Sequence, residues 1–326
     1  MKNSILLLGA SLISAAGIAQ SNSSTLEQQG NANLGAVYQV GTYNYSYGYQ
    51  LGDENALDVD QEGAYNSAYS YQFGNLNDAT ISQLGDSNFS QVVQRIEGNT
   101  AEISQEGAVN TDYVYQYGLE NDAAVEQVGD FNYGYSDQFG AQNSVTLTQW
   151  GNDNAAFQIQ IGNANSATIT QGVDYTGWAS SQIGFAQQEQ YGDANDATIT
   201  QRGQYQFALQ ASVGDNNEVV AYQGNDNNYS RQYQEGDNNF ANTQQYFSTQ
   251  TSFQEQVGDG NYANTLQTLG DLNFATVVQW GDDNYALTRQ LGDSNGAAVT
   301  QLGLSHSSTI MQSGAFNAAD VFQTDF

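Results

Sequence analysis

The sequence predicts an all-β chain, a β-solenoid of about 13 two-stranded coils with 22 residues per coil, each coil made of two 11-residue strand-turn units. Three observations carry this reading. Glutamine recurs every 11 residues, glycine and asparagine keep fixed places after it, and the residues between alternate at period two.

The glutamine step runs without a break through Gln28, Gln39, Gln50, Gln61, Gln72, Gln83, Gln94, Gln105, Gln116, Gln127, Gln138, Gln149, Gln160 and Gln171. It resumes at Gln190 and Gln201, with Ser212 in a glutamine place, and continues through Gln223, Gln234, Gln245, Gln256 and Gln267. After a one-residue slip it reaches Gln279, Gln290, Gln301, Gln312 and Gln323. Glycine stands two residues after the glutamine at Gly74, Gly85, Gly107, Gly118, Gly129, Gly140, Gly151 and Gly162. Asparagine stands five after it at Asn77, Asn88, Asn99, Asn110, Asn121, Asn132 and Asn143. The repeat domain therefore covers residues 28–323, between a short segment 20–27 and a tail 324–326.

Each unit reads as one strand and one tight turn. In Asn77-Asp78-Ala79-Thr80-Ile81-Ser82-Gln83, alternation puts Asn77, Ala79, Ile81 and Gln83 on one face and Asp78, Thr80 and Ser82 on the other. Leu84-Gly85-Asp86-Ser87 then turns the chain: glycine allows positive φ, and the aspartate after it has an oxygen for nearby backbone amides. A helix would lose about 1 kcal/mol at each such glycine.

A period of 22 overlies that of 11. Ile81, Ile103, Val125, Leu147 and Ile169 point inward on alternate strands, and smaller residues such as Gly48, Ser70 and Ser136 point inward on the strands between, with Val92, Val114 and Gln158 as exceptions. Large residues thus face small ones across a thin core. Stacking successive coils in register places glutamine over glutamine and asparagine over asparagine, so that their amides form ladders. A buried amide without its partner costs about 1–3 kcal/mol, which penalises slippage. Outward tyrosines, among them Tyr47, Tyr69, Tyr113 and Tyr135, make a stripe able to stack on itself.

The register breaks within about 172–190. The interval from Gln171 to Gln190 is best filled by one strand and an inserted loop, because Asn195 to Gln201 is of the same type as Asn165 to Gln171. Whether that strand ends at Gln182 or Gln190 stays open.

Residues 1–19 read as a secretory signal peptide, with Lys2, a short apolar stretch and Gly17-Ile18-Ala19 as the cleavage pattern. The apolar run is shorter than the roughly 20 residues that span a bilayer, so the chain is not expected to cross a membrane. Removal of the peptide leaves four arginines against 35 acids, a charge of −31. Such a surface repels nucleic acid and anionic lipid, and Arg95, Arg202, Arg231 and Arg289 are too sparse to read phosphates. With no cysteine, the fold carries no disulfide. No catalytic, cofactor or metal site is expected: the single histidine, His306, takes an asparagine place in the repeat, and the recurrent carboxylates belong to turns.

From Gln72 through Phe73-Gly74-Asn75-Leu76-Asn77-Asp78-Ala79 to Gln83 the chain resembles the curlin repeat, Gln-x-Gly-x-x-Asn-x-Ala-x3-Gln. Asn66 stands where that family's leading serine would be, and the chain carries more repeats than the family's subunits usually have. The resemblance implies a secreted, self-assembling amyloid fibre of the biofilm matrix that supports cell adhesion. The expected partners are further copies of the chain, a nucleator subunit and a curli-type outer-membrane export channel. Two rival readings are a surface adhesin that stays monomeric and an ice-binding solenoid. Thr146 and Thr148, Thr168 and Thr170, and Thr198 and Thr200 would form the ice-binding face, but Glu102, Ala124 and Glu126 hold equivalent outward sites.

Overall fold

A computed structural model describes residues 21–172 and 183–325. The signal-peptide residues 1–19 and the alternative strand end at Gln182 lie outside the described residues. Twenty-seven strands are present among those described, from β1 (Ser23–Gln29) and β2 (Leu34–Thr42) to β26 (Ser307–Ser313) and β27 (Ala318–Thr324). Odd-numbered strands form one 14-stranded sheet and even-numbered strands a 13-stranded sheet, with sequence order preserved in each. Every pairing is parallel. The chain is thus a β-solenoid with two strands per coil.

Register follows the glutamines. β6 (Asp78–Asp86) lies between β4 (Ala56–Ala64) and β8 (Thr100–Ala108), with Gln61, Gln83 and Gln105 in line. Where 30 residues separate stacked strands, β13 (Ala155–Ile161) pairs with β15 (Gly184–Tyr191) and Gln160 meets Gln190. The single-residue slip is absorbed between Gln256 and Gln279, which also pair.

The core is a thin layer between the sheets. Inward alternation buries Ala79, Ile81 and Gln83 together, and the same places recur as Ala101, Ile103 and Gln105. Toward the C-terminus the size pattern changes sheets. Gln188, Gln210, Gln232 and Gln254 become the large inward residues of the odd sheet, while the even sheet narrows to Ala221, Thr243 and Thr265.

The turns hold two left-handed residues where the sequence pointed to one. Gly85 has φ 117°, and a Cβ there would collide with the carbonyl oxygen of Gly107 in the next coil. Two residues on, Ser87 has φ 60°, and this second place is filled without glycine by Leu76, Val109 and Glu120. Such residues pay for left-handed backbone with about 1 kcal/mol or more. Val109→Asn, which copies the residue standing there at Asn216 and Asn238, is expected to stabilise the rod by about 1 kcal/mol in a denaturant melt. Gly85→Ala is expected to destabilise it by at least about 2 kcal/mol.

Candidate functional site: stacked amide columns

All sixteen glutamines and asparagines expected to form ladders are buried, and each lies over its counterpart one coil away. In the even sheet, Gln83 Nε2 donates to Gln105 Oε1 at 3.0 Å, Gln105 to Gln127 at 2.8 Å and Gln127 to Gln149 at 2.8 Å. The column begins at Gln39 and ends at Gln312 without a gap. In the odd sheet, Gln72, Gln94, Gln116, Gln138 and Gln160 are linked in the same way at 3.0 Å. Ser212 weakens that column, its hydroxyl standing 3.5 Å from Gln234 Oε1.

Each glutamine amide also reaches across the core. Gln105 Nε2 donates to the Phe89 carbonyl at 3.0 Å, and Gln94 Nε2 to the Asp78 carbonyl at 2.7 Å. The columns therefore pin one sheet to the other as well as coil to coil. A third column, from Gln158 through Gln188, Gln210 and Gln232 to Gln254, runs up the middle of the core.

Asparagine works at the corners, outside the strands. Asn77 Oδ1 accepts the backbone N–H of Asn99 at 3.2 Å, and Asn99 Nδ2 donates to the Gly118 carbonyl at 3.0 Å. Asn121 and Asn143 continue this corner, while Asn88, Asn110 and Asn132 do the same at the other. All eight singled-out turn glycines, Gly74 to Gly162, are left-handed, with φ between 101° and 143°.

Turn aspartates bond the neighbouring coil and not their own turn. Asp86 Oδ1 accepts the Ala64 N–H at 2.9 Å, and Asp130 Oδ1 the Ala108 N–H at 2.8 Å. Asp193, Asp215, Asp237, Asp259 and Asp282 form an unbroken column of this kind, with carboxylates one coil apart. No group of three or more histidine, aspartate or glutamate side chains among the described residues is placed to hold a metal ion.

On the outer face of the odd sheet the aromatic stripe is longer than the tyrosines alone suggested. Tyr45, Tyr69, Phe89, Tyr113, Tyr133 and Phe157 touch in turn, and the run continues through Phe185 and Phe207 to Phe274. Beside it, Arg95 lies between the rings of Phe73 and Tyr117, 5.4 and 5.2 Å from their centres. Tyr135 donates to Asp137 at 3.3 Å; partial burial and this carboxylate push the phenol up to about 12. On the even sheet, Thr146, Thr168 and Thr198 stack, as do Thr148, Thr170 and Thr200. This threonine array is three coils deep and ends at Ala124 and Glu126 on one side and Val220 and Tyr222 on the other.

One core group breaks the pattern. Asp112 stands where neighbouring coils have Ser90 and Gly134, is fully buried, and has no hydrogen-bond partner for either oxygen. Burial pushes its carboxyl up to about 7; the Tyr113 N–H offsets this in part from a geometry short of a full hydrogen bond. A Cβ on Gly134 would strike Asp112 Oδ1, so the glycine makes room for the carboxyl.

No helix among the described residues is long and apolar enough to cross a membrane. A search of curated proteins finds no match. The family model of the Curlin associated repeat matches residues 30–63, 52–85, 97–129, 119–151 and 281–314, each span covering one full coil and the half that follows it. Together with the two-sheet solenoid and its glutamine, glycine and asparagine register, these five matches identify the chain as a repeat protein of the curlin family, structural in kind.

Proposed function

We propose that the chain is the structural subunit of an extracellular curli-like amyloid fibre, in which rods stack head to tail and support adhesion and the biofilm matrix. The polarity of the glutamine columns carries this reading. Every Nε2 in them points toward the C-terminal coil and every Oε1 toward the N-terminal one. The first coil therefore presents the acceptors of Gln28 and Gln39, and the last presents the donors of Gln312 and Gln323. Strand edges of β1, β2, β26 and β27 offer backbone groups in the same sense. A second copy in the same orientation would continue each column, whereas an inverted copy would set donor against donor.

Secretion, a nucleator subunit and a curli-type export channel accompany this proposal through the family. The opposing force is charge, since the formal net charge is −30 and the turn carboxylates are stacked. Salt at 0.15 M shortens the Debye length to about 8 Å, which relieves repulsion between rods more than between adjacent coils. Purified protein is expected to form fibres in electron micrographs, faster with added salt and with preformed seeds. Sodium, magnesium and calcium are expected to act alike at matched ionic strength. Protein that stays monomeric at high concentration despite seeding and salt would sink the fibre assignment and favour the monomeric adhesin.

A further inference from the structure

The two ends of the rod differ at one corner. Asp325 stands two residues after Gln323, the place that turn glycines such as Gly281 and Gly303 hold in earlier coils. At Gly281, as at Gly258 before it, a Cβ on the glycine would collide with the carbonyl of the glycine stacked next to it. Asp325 carries such a Cβ, and its carboxylate folds back onto the last complete turn. Leu304 N–H donates to Asp325 Oδ2 at 2.7 Å, and Asp325 N–H donates to the Leu302 carbonyl at 3.1 Å. Over Gly303, Oδ2 takes the position where the next glycine's carbonyl sits elsewhere.

His306 holds this carboxylate down. It sits in the asparagine column, where its N–H bonds Asn284 Oδ1 at 3.0 Å. Its Nε2 donates to the Leu302 carbonyl at 3.1 Å and lies 3.4 Å from Asp325 Oδ1. Inside the rod, the N–H equivalent to that of Leu304 goes to an oxygen of the following coil, as Asp259 N–H does to Asp282 Oδ1 at 2.9 Å. At the C-terminal corner that N–H is already taken, and the surface an incoming turn must cover is occupied by a charged side chain.

We infer that Asp325, held by His306, is a latch over the C-terminal corner, and that the first turn of a second copy docks there only after the latch has swung away. The inference rests on the head-to-tail reading above. It makes the wild-type chain slower to join than its columns alone would allow, because only the open fraction is competent to dock. The cost of opening is confined to the tail, since Asp325 is exposed and its corner partners are Leu302, Leu304 and His306.

The test compares seeded elongation of the wild type, Asp325→Gly, His306→Asn and the control Asp320→Asn, each full-length and on seeds of its own. Asp320 is exposed on β27, so the control removes one charge from the same end without touching the corner. Elongation at least about threefold faster for Asp325→Gly, an intermediate gain for His306→Asn and no gain for Asp320→Asn would bear out the latch. Equal acceleration by Asp325→Gly and Asp320→Asn would reduce the effect to charge and overturn it. Four equal rates would overturn the latch and leave head-to-tail stacking intact. Failure of all four to elongate would remove both. His306→Asn, whose new residue is the one used at this corner in earlier coils, keeps the comparison decisive if Asp325→Gly folds poorly.

Discussion

Gln105→Leu is expected to destabilise the rod by about 3–5 kcal/mol, while Ser104→Leu, one residue away, changes stability by less than about 0.5 kcal/mol. Gln105 Oε1 accepts from Gln83 Nε2 and from the Ser90 hydroxyl at 2.8 Å, and Gln105 Nε2 donates to Gln127 and to the Phe89 carbonyl. Leucine fills the space and removes all four bonds. Gln127 Oε1 then loses its donor, and Gln83 Nε2, the Ser90 hydroxyl and the Phe89 carbonyl each lose one bond, so the damage falls on three strands in both sheets. Ser104 points to solvent and takes part in no column. Paired urea melts of the two variants against wild type make the comparison, and similar losses would contradict the assignment of inward and outward faces.

The second large effect is on pH. Asp112 holds its proton up to about pH 7 in the folded chain, against a usual value of 3.8. Across that window the folded state binds a proton that the unfolded state has released, so stability falls as pH rises. The contribution is fully present below about pH 4 and is lost by about pH 7, a change on the order of 4 kcal/mol. Tyr133, a titratable neighbour, is moved further away from this range, because partial burial raises its phenol. Asp60 and Asp137 are raised by burial too and add to the same slope. Asp112→Ser, the residue at this place in the adjacent coil, is expected to flatten most of the dependence when melts are run between pH 4 and pH 8. An unchanged slope in the variant would show that Asp112 finds a partner in solution.

Much of this was legible in the sequence because the columns that hold the rod together are made of side chains whose identity seldom varies, Ser212 and His306 being departures. Gln83, Asn77 and Gly85 each satisfy a geometric demand that repeats every coil, so the step of 11 exposes them. The second left-handed place was hidden for the opposite reason. Its demand falls on the backbone, and Tyr65, Leu76, Ser87 and Val109 all meet it, so composition gives no sign. The third glutamine column was visible as Gln188, Gln210, Gln232 and Gln254 at steps of 22, but Gln158 alone looked like an exception to a large-to-small rule. The aromatic run was partly missed because it zigzags between two strand positions, from Tyr45 to Tyr69 and back to Phe89. Alternation put Asp112 inward, yet that both its oxygens lack partners depends on distances no spacing reports.

The central claim is that copies join end to end along the axis of the columns, and the orientation of the strand spacing in aligned fibres tests it most directly. Strands in the rod run across its axis and are stacked along it at about 4.8 Å. If rods continue one another, X-ray diffraction from aligned fibres will place the reflection at about 4.8 Å on the meridian. A reflection of that spacing on the equator, as rods laid side by side across the fibre would give, would contradict head-to-tail stacking.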